Sequence, residues 1–268
     1  MKHIRTFVPL AAVLIVAGCA TVQQRHSAEA HQISPNRTVT LTAMPRPSEI
    51  DLHKTAVIVV DMQNDFGSKG GLLDRLGISI AEIRAIIPPT TKTLAIARTA
   101  GIPIIYLKMA YRPDLSDLGA SDAPNRIGHL QAGVGKTVAA PNGAPSRVLI
   151  RDTWNAEILE ELKPKPGDVV LYKSRFSGFY KTKLDGFLKR KGIRHLIFTG
   201  CTTSVCVEST VRDAVFRDYA PVVLADCTAE PAGFEVNHQA TLTLIEKRLF
   251  GSISTSADFI QAVESAKR

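Results

Sequence analysis

From residue 55 onward, short apolar runs alternate with stretches of helical period. Residues 56–60 (AVIVV) are apolar without a break, the pattern of a strand buried on both faces. Pro88-Pro89 open a helix with Leu94, Ile96 and Ala97 on its apolar side, and Gly101 closes it. Residues 103–107 (PIIYL), 169–172 (VVLY), 196–199 (LIFT) and 221–224 (PVVL) read as further strands, with a short edge strand at 252–254. Helices are predicted over 154–162 and from about Thr182 to Gly192, where Thr182 and Asp185 make a T-x-x-D start. Another follows Gly200, with Val207, Val211, Ala214 and Val215 on its apolar face; two more cover 233–249 and the end of the chain. Strands alternating with helices imply an α/β domain with a mostly parallel sheet covered on both faces. Residues 108–146 break the pattern, being rich in Gly, Pro and Asp and without period. A loop that long inside a compact domain usually serves function.

The first 50 residues follow other rules. Lys2, His3 and Arg5 precede an apolar run over 7–17 that is too short to span a bilayer, and Val16-Ala17-Gly18-Cys19 follow. This is a secretory signal, and its last four residues resemble a bacterial lipobox. The expectation is cleavage before Cys19, lipid attachment to that thiol, and an exported protein anchored in the cell envelope, facing the periplasm. Plain cleavage near Ala17 or Ala20, releasing a soluble periplasmic protein, is the alternative. Residues 20–50 are polar, lack an apolar period and carry Pro35, Pro45 and Pro47, as expected of a flexible tether. The folded domain is therefore expected over 51–268.

With 268 residues, 45% hydrophobic and 22% charged, the chain can bury a sizeable core. The net charge of +8 is uneven, because residues 163–194 hold ten lysines and arginines against only Asp168 and Asp185. Such a stretch can attract an anionic substrate or lipid headgroups, or simply form the solvated face of a helix. No aromatic interleaving points to nucleic acid, and no such partner is expected. Cys19 aside, Cys201, Cys206 and Cys227 remain, an odd count without the spacing of a disulfide framework. A free thiol kept in an oxidising compartment hints at use. A Cys201–Cys206 disulfide is the competing expectation and would preclude thiol chemistry.

In open α/β sheets, ligands bind beyond the carboxyl ends of the strands. Three predicted strand ends here carry one reactive group each. Asp61 follows Val60, Lys173 follows Tyr172, and the strand over 196–199 feeds an elbow that bears Cys206. With Thr203 or Ser204 as N-cap, Cys206 falls in a helix's first turn. There the dipole and the unpaired N–H groups favour the thiolate, and the same N–H groups can bind an oxyanion. The plainer reading is a small buried apolar cysteine. If the three groups converge, Asp61 can accept the thiol proton and return it to a leaving nitrogen. Lys173 favours both anions and helps hold the substrate carbonyl, while Cys206 attacks and forms a covalent intermediate. No histidine has a place in this set, so it is not a papain-type pair.

The segments TAVIVVDMQNDF, KSRFSGF and TGCTTSVCVESTVRDA occur in this order and resemble the signatures of the isochorismatase-like cysteine hydrolases. The likeness covers residues 55–254. It implies a three-layer, doubly wound domain with a six-stranded parallel sheet, commonly as a homo-oligomer, and an Asp–Lys–Cys triad matching Asp61, Lys173 and Cys206. It also implies a cis peptide between Cys201 and Thr202, with the backbone amides of Thr202 and Cys206 as oxyanion hole. Within the family, residues 166–213 are most similar to the ureidoacrylate amidohydrolases of pyrimidine breakdown, which cut an N-carbamoyl group; Trp154 and residues 70–74 (GGLLD) also fit that branch. Two features depart from it: Met109 stands where the branch has a polar residue, and the branch is cytosolic whereas this chain carries an export signal. The nicotinamidase branch has an Asp/His metal cluster after the second strand. This chain has Lys108-Met109-Ala110-Tyr111 there, and His53, His129, His195 and His238 lack ligand spacing. Neither a metal nor another cofactor is expected.

Weaker signals surround these. Tyr111, Arg112, Arg175 and Tyr180 lie near strand ends and are candidates to hold a substrate carboxylate or carbonyl. Gln63 and Phe66 follow Asp61 and are candidates to line the pocket. Each has a plain structural alternative: a surface charge for Arg175, packing for Tyr180 and Phe66. Asn64 and Asp65 read as turn residues. Gly133-Val134-Gly135-Lys136-Thr137 looks like the tail of a phosphate loop, but Leu130 stands where the motif needs glycine, so it reads as an ordinary loop. The function expected is hydrolysis of a C–N bond in a small amide or ureido compound through a thioester-type intermediate. The alternatives are a non-catalytic ligand-binding lipoprotein on the same fold, and a vinyl-ether hydrolase, against which Cys206 argues.

Overall fold

The computed structural model of the chain describes residues 37–266. The expected signal segment with Cys19, and residues 20–36 of the expected tether, lie outside the described residues. A hairpin of two antiparallel strands comes first, β1 (Thr38–Leu41) and β2 (Ser48–Asp51). Strand β3 (Thr55–Val60) leads into α1 (Asn64–Gly67), α2 (Leu72–Arg75), α3 (Ala81–Ala85) and the longer α4 (Ile87–Thr99). Next come β4 (Ile104–Met109), α5 (Pro124–Gln131), a small hairpin of β5 (Thr137–Ala139) and β6 (Pro145–Arg147), and β7 (Val169–Lys173). The chain ends with α6 (Leu184–Arg190), β8 (His195–Cys201), α7 (Glu208–Val215), β9 (Ala220–Ala229), α8 (Glu235–Lys247), β10 (Ser252–Ser254) and α9 (Ser256–Ser265).

Six strands form one sheet in the order β10-β9-β8-β3-β4-β7, every neighbouring pair parallel. The chain builds outward from β3 in one direction through β4 and β7, then returns to the other side of β3 with β8, β9 and β10. This is a doubly wound sheet, and its topological switch point lies between β3 and β8.

Because successive side chains of a strand point to opposite faces, the unbroken apolar run of β3 feeds two cores. Val57 and Val59 pack with Leu94 and Ala97 of α4 and Phe259 and Val263 of α9. Ala56, Ile58 and Val60 pack with Leu188 of α6, Val211 of α7 and Ile245 of α8. The sheet thus carries helices on both faces, as expected. Gly200 in β8 lets two strands meet at the switch point: its φ is +110°, and a Cβ there would come within 2.0 Å of the Val60 carbonyl oxygen.

Three expectations are corrected. Residues 38–50 were expected in the tether, but with Asp51 they form the first hairpin, with Val39, Leu41 and Ile50 in the core beneath α4 and α9. Burying an aliphatic side chain contributes about 1.5–3 kcal/mol, enough to fix a strand too short to show a period. Its prolines belong to the turn, where the Met44–Pro45 peptide is cis. The helix expected over 154–162 is instead two single turns, Trp154–Ala156 and Glu160–Leu162. The backbone between them is drawn out to pair with the segment after β3: Asn64 N donates to Glu157 O and Leu159 N to Met62 O, both at 2.9 Å. The stretch over 108–146 is not structureless, since it holds α5, β5 and the start of β6 around a separate core that includes Tyr111, Leu118, Val134 and Leu149.

Candidate active site

At the switch point, the chain leaves β3 and β8 toward opposite faces and opens a crevice at their carboxyl ends. Asp61 is the first residue past β3, with φ +50°. Its N–H donates to Leu107 O at 2.9 Å, and its Oδ1 accepts Met109 N at 2.9 Å. Lys173, the last residue of β7, lies beside Met109 in register. Its Nζ lies 2.8 Å from Asp61 Oδ2 and donates to Cys206 Sγ at 3.3 Å and to Arg175 O at 3.3 Å. Asp61 Oδ2 has that ammonium as its charge partner but no well-aligned hydrogen bond, so a lone pair remains open to a proton. All three groups are buried, and the expected carboxylate–ammonium–thiol cluster is present. Cys201, Cys206 and Cys227 are free thiols, so the competing disulfide is not formed.

The elbow after β8 is tighter than the sequence suggests. The Cys201–Thr202 peptide is cis, and residues Thr203–Val207 form one π-helical turn before α7. Thr202 O accepts N–H groups from Val205 (3.2 Å) and Val207 (3.1 Å) and none from Cys206 between them. The Thr202 N–H has no acceptor among the described residues. Such π turns leave backbone groups outside the regular ladder and are frequent at functional sites. Neither Thr203 nor Ser204 caps the helix, contrary to expectation. Glu230, near the end of β9, instead accepts the Ser204 N–H with its carboxylate, and Thr203 Oγ1 pairs with His238 Nδ1 at 2.9 Å.

Burial sets the protonation of the cluster. It pushes the Asp61 carboxyl up, against the charge of Lys173 and hydrogen bonds from Cys206 and Met109. Burial alone would lower Lys173, but Asp61 and the Cys206 sulfur outweigh it and hold the ammonium above its ordinary range. The Cys206 thiol is pushed well up, first by burial and then by the Asp61 charge, with Lys173 opposing. Lys173 thus keeps its ammonium 2.8 Å from the Asp61 carboxyl, beside a thiol that holds its proton. The helix start was expected to favour the thiolate; burial and the Asp61 charge work against it.

A cavity of about 170 Å³ opens over the sulfur. Asp61, Thr202 and Cys206 face it, and Phe66, Leu72, Met109, Val134, Leu149, Phe176 and Val205 make it apolar. Helix α5 adds His129, and Ala132 at its C-cap joins it. Among the candidate contacts, Phe66 lines this cavity. Gln63 does not: it is fully buried, with Nε2 donating to Met109 O and Ala156 O at 3.1 Å each and Oε1 accepting Met109 N at 2.7 Å, so it fastens two loops. Tyr111 is buried in the core of the long loop. Arg112, Arg175 and Tyr180 surround a polar hollow of about 570 Å³, which Lys173 also lines. There the Arg175 guanidinium donates to Asp117 O at 3.0 Å and stacks on Tyr180 with 5.3 Å to the ring centre.

The sequence reading missed His129 and Phe176 as pocket residues and Asp65 as an organiser. Phe176 sits inside the KSRFSGF segment, which was signal enough. Asp65 is not a turn residue. Its Oδ1 accepts Leu72 N at 2.9 Å and Asn155 Nδ2 at 2.5 Å, and its Oδ2 accepts Leu149 N at 2.7 Å. One carboxylate thus fixes two cavity walls, and burial pushes it up to about 6.

Comparison with known proteins gives a consistent picture. The isochorismatase domain matches residues 55–258. The ureidoacrylate amidohydrolase RutB of Caulobacter segnis is 42% identical over 221 residues, 82% of this chain and 90% of that protein. The same enzyme from Rhizobium rhizogenes is 38% identical over 231 residues, 86% and 92% of the two chains. Among solved structures, a cysteine hydrolase from Pseudomonas syringae pv. phaseolicola superposes with a TM-score of 0.69 at 32% identity, covering 81% of this chain and 95% of that one. N-carbamoylsarcosine amidase from Thermoplasma acidophilum gives 0.57 at 27% identity, covering 76% and 96%.

Proposed function

The chain belongs to the isochorismatase family of hydrolases, and from that membership we propose a cysteine-dependent amidohydrolase that cleaves a C–N bond of a small ureido (N-carbamoyl) or amide compound. The observation that carries this reading is the position of Lys173 Nζ, 2.8 Å from Asp61 and 3.3 Å from Cys206 beside a largely apolar cavity.

Each step follows from the resting protonation. The substrate carbonyl oxygen takes the N–H groups of Thr202 and Cys206 while its carbon approaches Sγ. As the C–S bond forms, Asp61 takes the thiol proton; burial has made this carboxylate a stronger base than usual. Lys173 stays charged and offsets the negative charge that appears on sulfur and oxygen. The intermediate collapses when Asp61 returns the proton to the leaving nitrogen and the C–N bond breaks, leaving an acyl or carbamoyl thioester on Cys206. Water then attacks that carbon, Asp61 accepts its proton, and the restored thiol takes the proton back as the C–S bond breaks. Support for ureido substrates comes from the relatives, named as ureidoacrylate amidohydrolases and an N-carbamoylsarcosine amidase. The test is ammonia release over a panel of ureido acids and simple carboxamides, with Cys206→Ala as control.

We also read the enzyme as exported and lipid-anchored through Cys19, on the basic start, the apolar run and the small residues before that cysteine. Incorporation of a labelled fatty acid that disappears in Cys19→Ser supports this reading; incorporation unchanged in that variant removes it. Self-association, which the family resemblance implies, is tested directly by sedimentation velocity.

A further inference from the structure

Beyond Asp61, Cys206 and the elbow residue Thr202, the cavity over Cys206 meets one further polar side chain, His129 of α5. The ring is held firmly. Its Nδ1 lies 2.6 Å from Asn125 O, its face meets Tyr111 edge-on at 5.4 Å, and Phe176 lies tilted against it at 5.8 Å. A carbonyl only accepts, so Nδ1 carries the ring hydrogen. Burial lowers the affinity of the ring for a second proton; the Asn125 carbonyl opposes this, and the charges of Arg175 and Lys173 lower it further. In the resulting neutral ring Nε2 is an acceptor, and among the described residues it has no hydrogen-bond partner. His129, Ala132 and Phe176 also line an outer groove of about 370 Å³, so they form the wall between groove and cavity.

We infer that His129 Nε2 accepts an N–H from the carbamoyl group of the substrate, and thereby selects ureido compounds over acyl amides of the same leaving amine. The inference rests on Cys206 as nucleophile. With the carbonyl oxygen on the Thr202 and Cys206 amides and the leaving nitrogen at Asp61, a carbamoyl group still carries two N–H donors in a largely apolar cavity. Phe66, Leu72, Val134, Leu149 and Phe176 offer them nothing. An acetyl group of similar size puts a methyl there and needs no partner. A buried donor left unpaired loses binding, so the carbamoyl preference of a site with this acceptor should be about tenfold or more.

The test measures kcat/KM for the N-carbamoyl and N-acetyl derivatives of one amine, in wild type, His129→Phe and His129→Gln. Removing the acceptor in His129→Phe should lower the carbamoyl-to-acetyl ratio about tenfold or more. His129→Gln, which keeps an oxygen acceptor, should retain part of the preference. Thermal melting and alkylation of Cys206 confirm that both variants are folded around the thiol. A ratio unchanged in both variants, through equal loss on the two substrates or no loss at all, overturns the assignment. Cys206→Ala run in parallel separates two failures: an active Cys206→Ala overturns the nucleophile, and this inference with it. An inactive one beside an unmoved ratio overturns the role of His129 alone.

Discussion

The Lys173 ammonium reaches the Asp61 carboxylate at 2.8 Å although their strands are not neighbours, since β4 runs between β3 and β7. Both side chains are out of water, so each is the other's principal source of charge compensation. Breaking a buried pair from one side leaves a naked charge and costs about 3–5 kcal/mol. Lys173→Met should therefore lower stability by about that amount as well as abolish turnover, whereas Asp61→Asn with Lys173→Met should recover much of the stability and none of the activity. Urea midpoints of the wild type and the two variants check this. A single-variant cost below about 1 kcal/mol would mean that the pair behaves like a solvated surface contact.

Asp65 gives a prediction with a definite pH sign. Its folded pKa, about 6, lies above the ordinary aspartate range. The folded state holds the proton more tightly than the unfolded one, so the group's contribution to stability is full below about pH 4 and lost as pH rises through about 6. Asn cannot titrate, and it sets an NH2 against one of the three N–H donors. Asp65→Asn should be less stable than wild type, by a margin larger at about pH 4 than at pH 7. Melting at the two pH values decides the matter; a margin that grows with pH contradicts it.

Glu230 holds the Ser204 N–H at the elbow. Removing a helix-start acceptor costs about 1 kcal/mol, so Glu230→Ala should lower both the melting temperature and kcat, while Glu230→Gln, still an acceptor, should stay close to wild type. If the two variants behave alike, Glu230 acts through its charge rather than as a cap.

Leu41 separates a folded hairpin from a tether. Truncating a fully buried leucine costs about 2–5 kcal/mol, so Leu41→Ala should shift the denaturation midpoint strongly. A shift within about 0.5 kcal/mol would indicate a residue outside the cooperative fold.

What was legible in the sequence followed chain continuity. Asp61 and Lys173 end unbroken apolar strands and Cys206 follows a glycine turn, so a parallel sheet was bound to carry all three to one edge. The six strands were legible for the same reason. Distances across the chain were not. Asp65 meets Leu149 and Asn155, and Ser204 meets Glu230, through contacts 26 to 90 residues apart that leave no local pattern. His129 lies on an eight-residue helix without a buried residue of its own, so no apolar period drew attention to it. Arg112, Arg175 and Tyr180 stood near the right strand ends but line a polar hollow that Lys173 shares rather than the cavity over Cys206, because closeness to a strand end does not fix the direction of a long side chain. What opposes the thiolate was hidden for a comparable reason: a helix start is visible in sequence, whereas full burial is not.

The most direct measurement is turnover by Cys206→Ala on a ureido compound that the wild-type protein cleaves. The account predicts a folded protein whose kcat/KM has fallen by about three orders of magnitude or more, since both the covalent step and its proton partner are lost. A folded Cys206→Ala that releases ammonia at the wild-type rate would contradict it.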